Sequence, residues 1–532
     1  MGGKAAFLRH VSVPATARPC GSIDVTGGAM SRTENFLKNV KVTFAFRAIS
    51  AIVNFSARKV FVMVLTTEYL GLNGVFSNVL SLLSLSELGI GSAITYSLYK
   101  PLAEGDQEQV ASLMAVYRRV YWAVGVLIIL LGGALTPFLP LLIRDMPDIP
   151  HIYLIYMIFV LNSALSYFYA YKQSLIGADQ RQYIITTCHG LLHLAASVVQ
   201  MALLWLTRNY FVYLGIQTAT VLVENFIISR KANHLYPYLK TISPKRLDPE
   251  VKDKIVKNTK ALVLHHLSGF AVFGTDNLLM SAFVGAVAVG LYSNYLMITD
   301  FLRSIYDQLF SALTASVGNL SAEKSPDEVL PVFWRIQLFS GWLYGFSAVC
   351  LAVLLNPFIT LWLGADYRLS QSIVWLIALN FYTRGMRKTV LTFCTAYGLY
   401  WQERFKPVAE SIVNLVASII LAIPFGVAGI LAGTLISTMT TCFWVEPTVL
   451  FKHGFHRSVA PFFQHYAFNT LVTLLTTGLV WYLCSLLPEA GLFPFLGKMA
   501  ICAVAGNLTY LAVYGRREEF RYFIDLIRQY FM

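Results

Sequence analysis

About fourteen stretches of roughly 20 apolar residues follow one another along this chain of 532 residues, each long enough to cross a bilayer as a helix. They fall at roughly 42–68, 72–98, 119–143, 150–172, 183–207, 210–229, 259–283, 286–314, 331–362, 371–395, 407–424, 427–450, 463–486 and 493–514. In lipid every backbone N–H and C=O must be satisfied within the protein, so such stretches fold as helices. The expectation is an all-α polytopic membrane protein. Composition agrees: 56% of residues are hydrophobic and 13% charged, against about 25% charged in soluble domains. The mean hydropathy is +0.60. The first span carries charge, and only Phe425-Gly426 separates 407–424 from 427–450.

The net charge of +13 points away from nucleic acid, because the cations sit in short loops. With a cytoplasmic N-terminus, the outside loops hold only Arg144, Arg208, Arg368 and Lys498, and the remaining loop cations lie inside. That bias predicts both termini in the cytoplasm. Residues 1–41 then form a cytoplasmic tail. Within it, 1–29 is expected to be disordered, or Met30 is the true start. Residues 231–258 read as a cytoplasmic linker, with Asp248-Pro249-Glu250 as a helix start. The tail after the last span carries Phe520, Phe523, Ile524, Ile527 and Phe531 on one helical stripe. Two readings stand for it: a helix lying in the membrane interface, or one docked on the protein. Six of the seven cysteines fall in apolar segments without a C-x-x-C pair, so neither a disulfide framework nor a metal site is expected.

A short repeat organises the spans. Gly74-Val75-Phe76-Ser77-Asn78 opens the second, and Gly290-Leu291-Tyr292-Ser293-Asn294 opens the eighth. Six spans separate them. The echo implies two six-helix lobes of like orientation, 42–230 and 259–451, around a central cavity, with two extra helices in 452–532. The second and eighth spans should both border the space between the lobes.

The tenth span carries the sharpest chemical signal. Arg384, Arg387 and Lys388 lie at i, i+3 and i+4 near the middle of an apolar segment, hence on one helical face. Each charge at the bilayer centre costs about 2.5–3.5 kcal/mol on insertion scales. That face should therefore meet a protein-lined or watery interior. It either binds an anion, for which Arg forks suit phosphate oxygens, or pairs with buried acids such as Glu410 or Glu446. Arg58 and Lys59 on the first span either line the cavity from the other lobe or snorkel; for Arg47 snorkelling is favoured. Glu87, Asp276 and Arg303 are candidates for coupling or gating. Arg303 either pairs across the cavity with Glu87, or stays on its own helix with Asp300 or Asp307. His189 and His193 have metal-ligand spacing, and His265-His266 are adjacent, but no nearby Cys or carboxylate in sequence completes a site. They read as core or cavity-lining residues.

Three stretches carry a family resemblance: Y-L-G-L-N-G-V-F-S-N-V-L-S-L-L-S-L-S-E-L-G-I-G-S-A at 69–93, G-T-D-N-L-L-M-S-A-F-V-G-A-V-A-V-G-L-Y-S-N-Y at 274–295, and N-F-Y-T-R-G-M-R-K at 380–388. On these the chain, over about 35–515, resembles the oligosaccharide flippase (polysaccharide transporter) branch of the multidrug/oligosaccharidyl-lipid/polysaccharide exporter superfamily. The resemblance implies a central cationic cavity and export of lipid-linked glycans for cell-surface polysaccharide assembly. It also implies a monomer in the bacterial plasma membrane, with membrane lipids and a lipid-linked glycan as partners. No cofactor is expected beyond a coupling H+ or Na+. Two alternatives are a cation-coupled multidrug antiporter of the same superfamily and a membrane glycan polymerase. The polymerase would need an extracytoplasmic catalytic surface, and no outside loop is large. No D-x-D pair or phosphate-binding G-x-x-x-x-G-K-[ST] loop is present, so the chain does not read as an enzyme.

Overall fold

In the computed structural model, residues 49–83, 90–245, 275–489 and 491–531 are described, and every regular element among them is a helix. Glu87, Arg47, the His265-His266 pair, the 248–250 helix start and the tail 1–41 lie outside these residues. The first lobe comprises α1 (49–64), α2 (Thr67–Leu83), α3 (Ile90–Glu104), α4 (Gln107–Leu135), α5 (Ile152–Ala178), α6 (Gln182–Thr207) and α7 (Tyr210–Leu235). The second comprises α8 (Thr275–Phe283), α9 (Ala286–Glu323), α10 (Pro326–Trp362), α11 (Gln371–Met386), α12 (Lys388–Ala396) and α13 (Lys406–Ser437), the last running on to Phe455. Two further membrane helices are α14 (Ala460–Ser485) and α15 (Leu492–Ile501, continuing to Tyr514); α16 (Glu518–Phe531) closes the chain. Among the described residues, eight helical runs are long and apolar enough to cross a membrane on their own. Among the described residues the protein is an all-α polytopic membrane protein, with two lobes and an added C-terminal pair.

The run beginning at Lys406 is two helices, because Gly426 turns back on itself at φ 56°, ψ −128°. Pro424, two residues earlier, cannot donate the next helical hydrogen bond. The two arms then lie almost in contact. A Cβ on Gly429 would stand 1.9 Å from the carbonyl oxygen of Leu421, and one on Gly433 would stand 2.4 Å from Ser418 Oγ. Asn414 Nδ2 donates to Thr434 Oγ1 at 3.1 Å across the same seam. The boundary expected between 424 and 427 is thus a helical hairpin.

The repeat has a physical counterpart. Helices α2 and α9 pack against each other, so the two copies of the echo meet. A Cβ on Gly71 would lie 2.0 Å from the carbonyl oxygen of Ala286, and one on Gly290 would lie 2.8 Å from that of Thr67. Only hydrogen at these two positions allows the backbones so close. The same end is tied by loop contacts. Arg144 Nη1 donates to Phe283 O at 2.6 Å, and Ser281 Oγ donates to Leu142 O at 2.8 Å. Arg58 Nη1 donates to Ser293 Oγ at 3.0 Å, inside the second copy of the echo. The Trp362 indole donates to Phe55 O at 3.2 Å, with the Phe55 and Trp362 rings 4.9 Å apart.

Helix α16 touches the protein through Phe520 and Phe523; the side chains of Ile524, Ile527 and Phe531 lie outside the described residues. It lies against α10: Phe520 packs on the cluster of Leu338, Val472, Tyr510 and Tyr514, and the Phe523 and Phe339 rings are 5.6 Å apart. The Arg335 guanidinium sits 4.2 Å from the Tyr522 ring centroid.

Candidate functional site

The three cations of the tenth span share one cavity. The span breaks at Arg387, the one residue between α11 and α12. Gly385, just before the break, makes room for Tyr344, whose ring would lie 2.0 Å from any Cβ there. The cavity, about 500 Å³, is lined by Arg303 and Asp307 of α9, by Arg384, Arg387 and Lys388, and by Lys406 and Glu410 of α13. Five cations and two carboxylates line it, and further acids, Glu446, Glu403 and Asp300, pair with these cations from behind the lining. This face of the tenth span sees protein rather than lipid.

The cations are not equivalent. Arg387 is held on three sides: Nε and Nη2 donate to Glu446 at 3.0 and 2.6 Å, and Nη1 donates to Glu410 at 3.1 Å. Glu446 is 1% exposed and also accepts from Lys406 Nζ at 2.8 Å. Lys406 in turn donates to Glu403 at 2.7 Å. This is a closed, fork-to-fork network in which each buried charge has its counter-charge. Lys388 Nζ pairs with Asp307 at 2.5 Å, half open to solvent on the acid's side. Arg384 lies among Arg303, Arg387, Asp276 and Tyr292, close enough to feel each of them. Asp276 accepts from Thr434 Oγ1 at 3.1 Å. Arg303 pairs with Asp300 on its own helix at 2.9 Å.

A second cavity, about 690 Å³, lies between the lobes. Its walls include Ser50, Asn54, His189, His193 and Ser197 from the first lobe and Asp300 and Ser304 from the second. Arg303, one turn from Asp300 on α9, stands between this space and the cationic cavity.

The structure therefore brings Arg384, Arg387, Lys388 and Arg303 to one cavity, while Asp276 is bonded to Thr434 outside its lining. Arg58 sits at the seam between the lobes. Lys59 is exposed and belongs to the lining of neither cavity. One expectation fails. A carboxylate does complete the histidine pair: Glu224, from α7, accepts from His189 Nε2 at 2.8 Å and lies 3.5 Å from His193 Nε2. Sequence reasoning missed Glu224, although it is the lone acid of an apolar span adjoining the H-x-x-x-H helix. It also missed Lys406, which read as a loop charge because its partner Glu446 lies forty residues on.

No protein-family model and no curated protein sequence matches the chain. Solved structures do. A multidrug resistance MATE family transporter of the MOP superfamily, in an inward-facing conformation, aligns with a TM-score of 0.60 at 12% identity, over 78% of this chain and 99% of that one. Lipid II flippase MurJ, in an inward closed conformation, aligns with a TM-score of 0.60 at 12% identity, over 90% and 99%. A Vibrio cholerae MATE transporter aligns with a TM-score of 0.52 at 13% identity, over 80% and 99%. The protein is a multi-pass membrane protein with the fold of the MOP-superfamily transporters. Both MATE transporters and the MurJ flippase share this fold, as the resemblance to the flippase branch implies.

Proposed function

We propose that the protein is a flippase that carries a lipid-linked phosphate or pyrophosphate oligosaccharide from the inner to the outer leaflet of the bacterial plasma membrane, by alternating access, for cell-surface polysaccharide assembly. The observation that carries this reading is the cavity among second-lobe helices lined by five cations, Arg303, Arg384, Arg387, Lys388 and Lys406, of which Arg387 and Lys406 are locked into the buried Glu446 network. A guanidinium fork matches phosphate oxygens, and the low dielectric around it strengthens the attraction. Arg384 and Lys388 are assigned to the headgroup phosphate, with Arg303 at the mouth. Arg387 keeps the frame, since Glu410 and Glu446 already occupy its fork. The sugars would occupy the space between the lobes while the lipid tail stays in the bilayer. Release on the outer side requires parting the Arg144, Arg58 and Gly71 contacts.

Asp276, bonded to Thr434, is the candidate for a coupling H+ or Na+. The same carboxylate favours the second reading, a multidrug antiporter, in which it would bind a cationic substrate. Purified protein in vesicles distinguishes the two. A flippase moves a fluorescent polyprenyl-phosphate glycan across the bilayer, and Arg384→Ala or Lys388→Ala slows it at least tenfold with unchanged thermal stability. Normal rates in both variants overturn the phosphate assignment. Transport of an organic cation that survives both changes and stops with Asp276→Asn establishes the antiporter.

A further inference from the structure

We infer that His189, His193 and Glu224 form a divalent metal site, for Zn2+ or a metal of similar ligand preference, on the first-lobe wall of the inter-lobe cavity. The donor atoms of the three side chains lie within 4.8 Å of one another. The two histidines are one turn apart on α6, with rings 5.3 Å apart and nearly parallel at 17°. Glu224 reaches them from α7 with one oxygen to each ring. The carboxylate is almost fully enclosed, whereas the imidazoles are 46% and 59% exposed.

Two imidazoles and one carboxylate are a ligand set that zinc accepts, with a fourth position left for water or another oxygen donor. His189 and His193 line the cavity, so that fourth position opens toward it and an ion can enter from there. The burial of Glu224 adds to the case. A carboxylate taken out of water needs a counter-charge, and the two imidazoles supply one only when protonated. A bound dication satisfies it with both rings neutral. The ion would also bridge α6 to α7 on the wall of the central space, within reach of whatever enters it. None of this depends on the cargo.

The test uses the full-length protein in detergent, stripped with a chelator and titrated with Zn2+ against a chromophoric competitor. One ion per chain is expected, with His193→Ala and Glu224→Gln each weakening binding at least tenfold and leaving the elution profile unchanged. His193 is the more exposed ligand, so its loss should leave folding intact. A measurement on the unaltered protein guards against misfolding of the variants: Zn2+ should protect His189 and His193 from diethylpyrocarbonate, read by mass spectrometry. No stoichiometric Zn2+ uptake, equal affinity in both variants, or unprotected histidines would each overturn the site and leave a plain histidine–carboxylate contact.

Discussion

Helices α5 and α11–α12 stand at comparable places in the two lobes, and they carry very different charge. Along Ile152–Ala178 the single ionic side chain is Lys172, whose ammonium donates to neutral partners, Ser229 Oγ at 2.6 Å and Asn233 Oδ1 at 3.1 Å. Along Gln371–Ala396 there are three cations, and four carboxylates from other segments, three on helices and Glu403 in the turn before α13, stand around them or their neighbours. Of these two corresponding spans, only the one in the second lobe carries a cluster of charge. A single ammonium can be satisfied by hydroxyl and amide dipoles. Three cations within two turns cannot, so the tenth span draws acids from its neighbours α9 and α13 and from the continuation of α13.

The sharpest way to break this contrast is Glu446→Gln. It leaves Arg387 and Lys406 short of a counter-charge in a buried network, and should cost about 3–5 kcal/mol. A much lower unfolding temperature in detergent is the expected outcome. Stability close to that of the unaltered protein would mean that the network is wet and weakly coupled. Next comes the seam, where the lobes meet through like elements. Gly71→Val places a side chain against the Ala286 carbonyl and should cost about 1–3 kcal/mol in the closed arrangement. It should raise maleimide labelling of a cysteine substituted at Arg144; unchanged labelling would show that this end does not rest on the glycine contact.

The first-lobe counterpart should be milder. Lys172→Met removes two hydrogen bonds to a half-exposed ammonium, for a loss of about 1 kcal/mol. Transport should remain, in contrast to Arg384→Ala; equal loss of transport in the two variants would erase the distinction between the lobes. The smallest effect is expected away from both, at the tail. Tyr522→Ala removes the ring under Arg335 and should cost about 0.5–1 kcal/mol, detectable as a slightly earlier release of the C-terminal helix in limited proteolysis.

The amino-acid order by itself determined the class of protein. Span length, hydropathy and the absence of soluble-sized loops leave helices crossing a membrane as the one solution, because lipid offers the backbone no hydrogen-bond partner. The five-residue echo marked the two elements that meet between the lobes, and i, i+3, i+4 spacing put Arg384, Arg387 and Lys388 on one face. These signals are local or periodic, and a helix converts them directly into geometry. What the tertiary structure decided was pairing. The sequence named Glu410 and Glu446 as possible partners but held no rule for which cation would take them; packing of α13 against α11 gave both to Arg387. In the same way, Arg303 took Asp300, and Asp307 went to Lys388. Glu224 joined His189 and His193 from thirty-odd residues away only because α6 and α7 lie side by side. Ion pairs and ligand sets depend on a few ångströms between helices, and in a chain whose spans are all apolar the order of residues sets each helix face but not the neighbour it will meet.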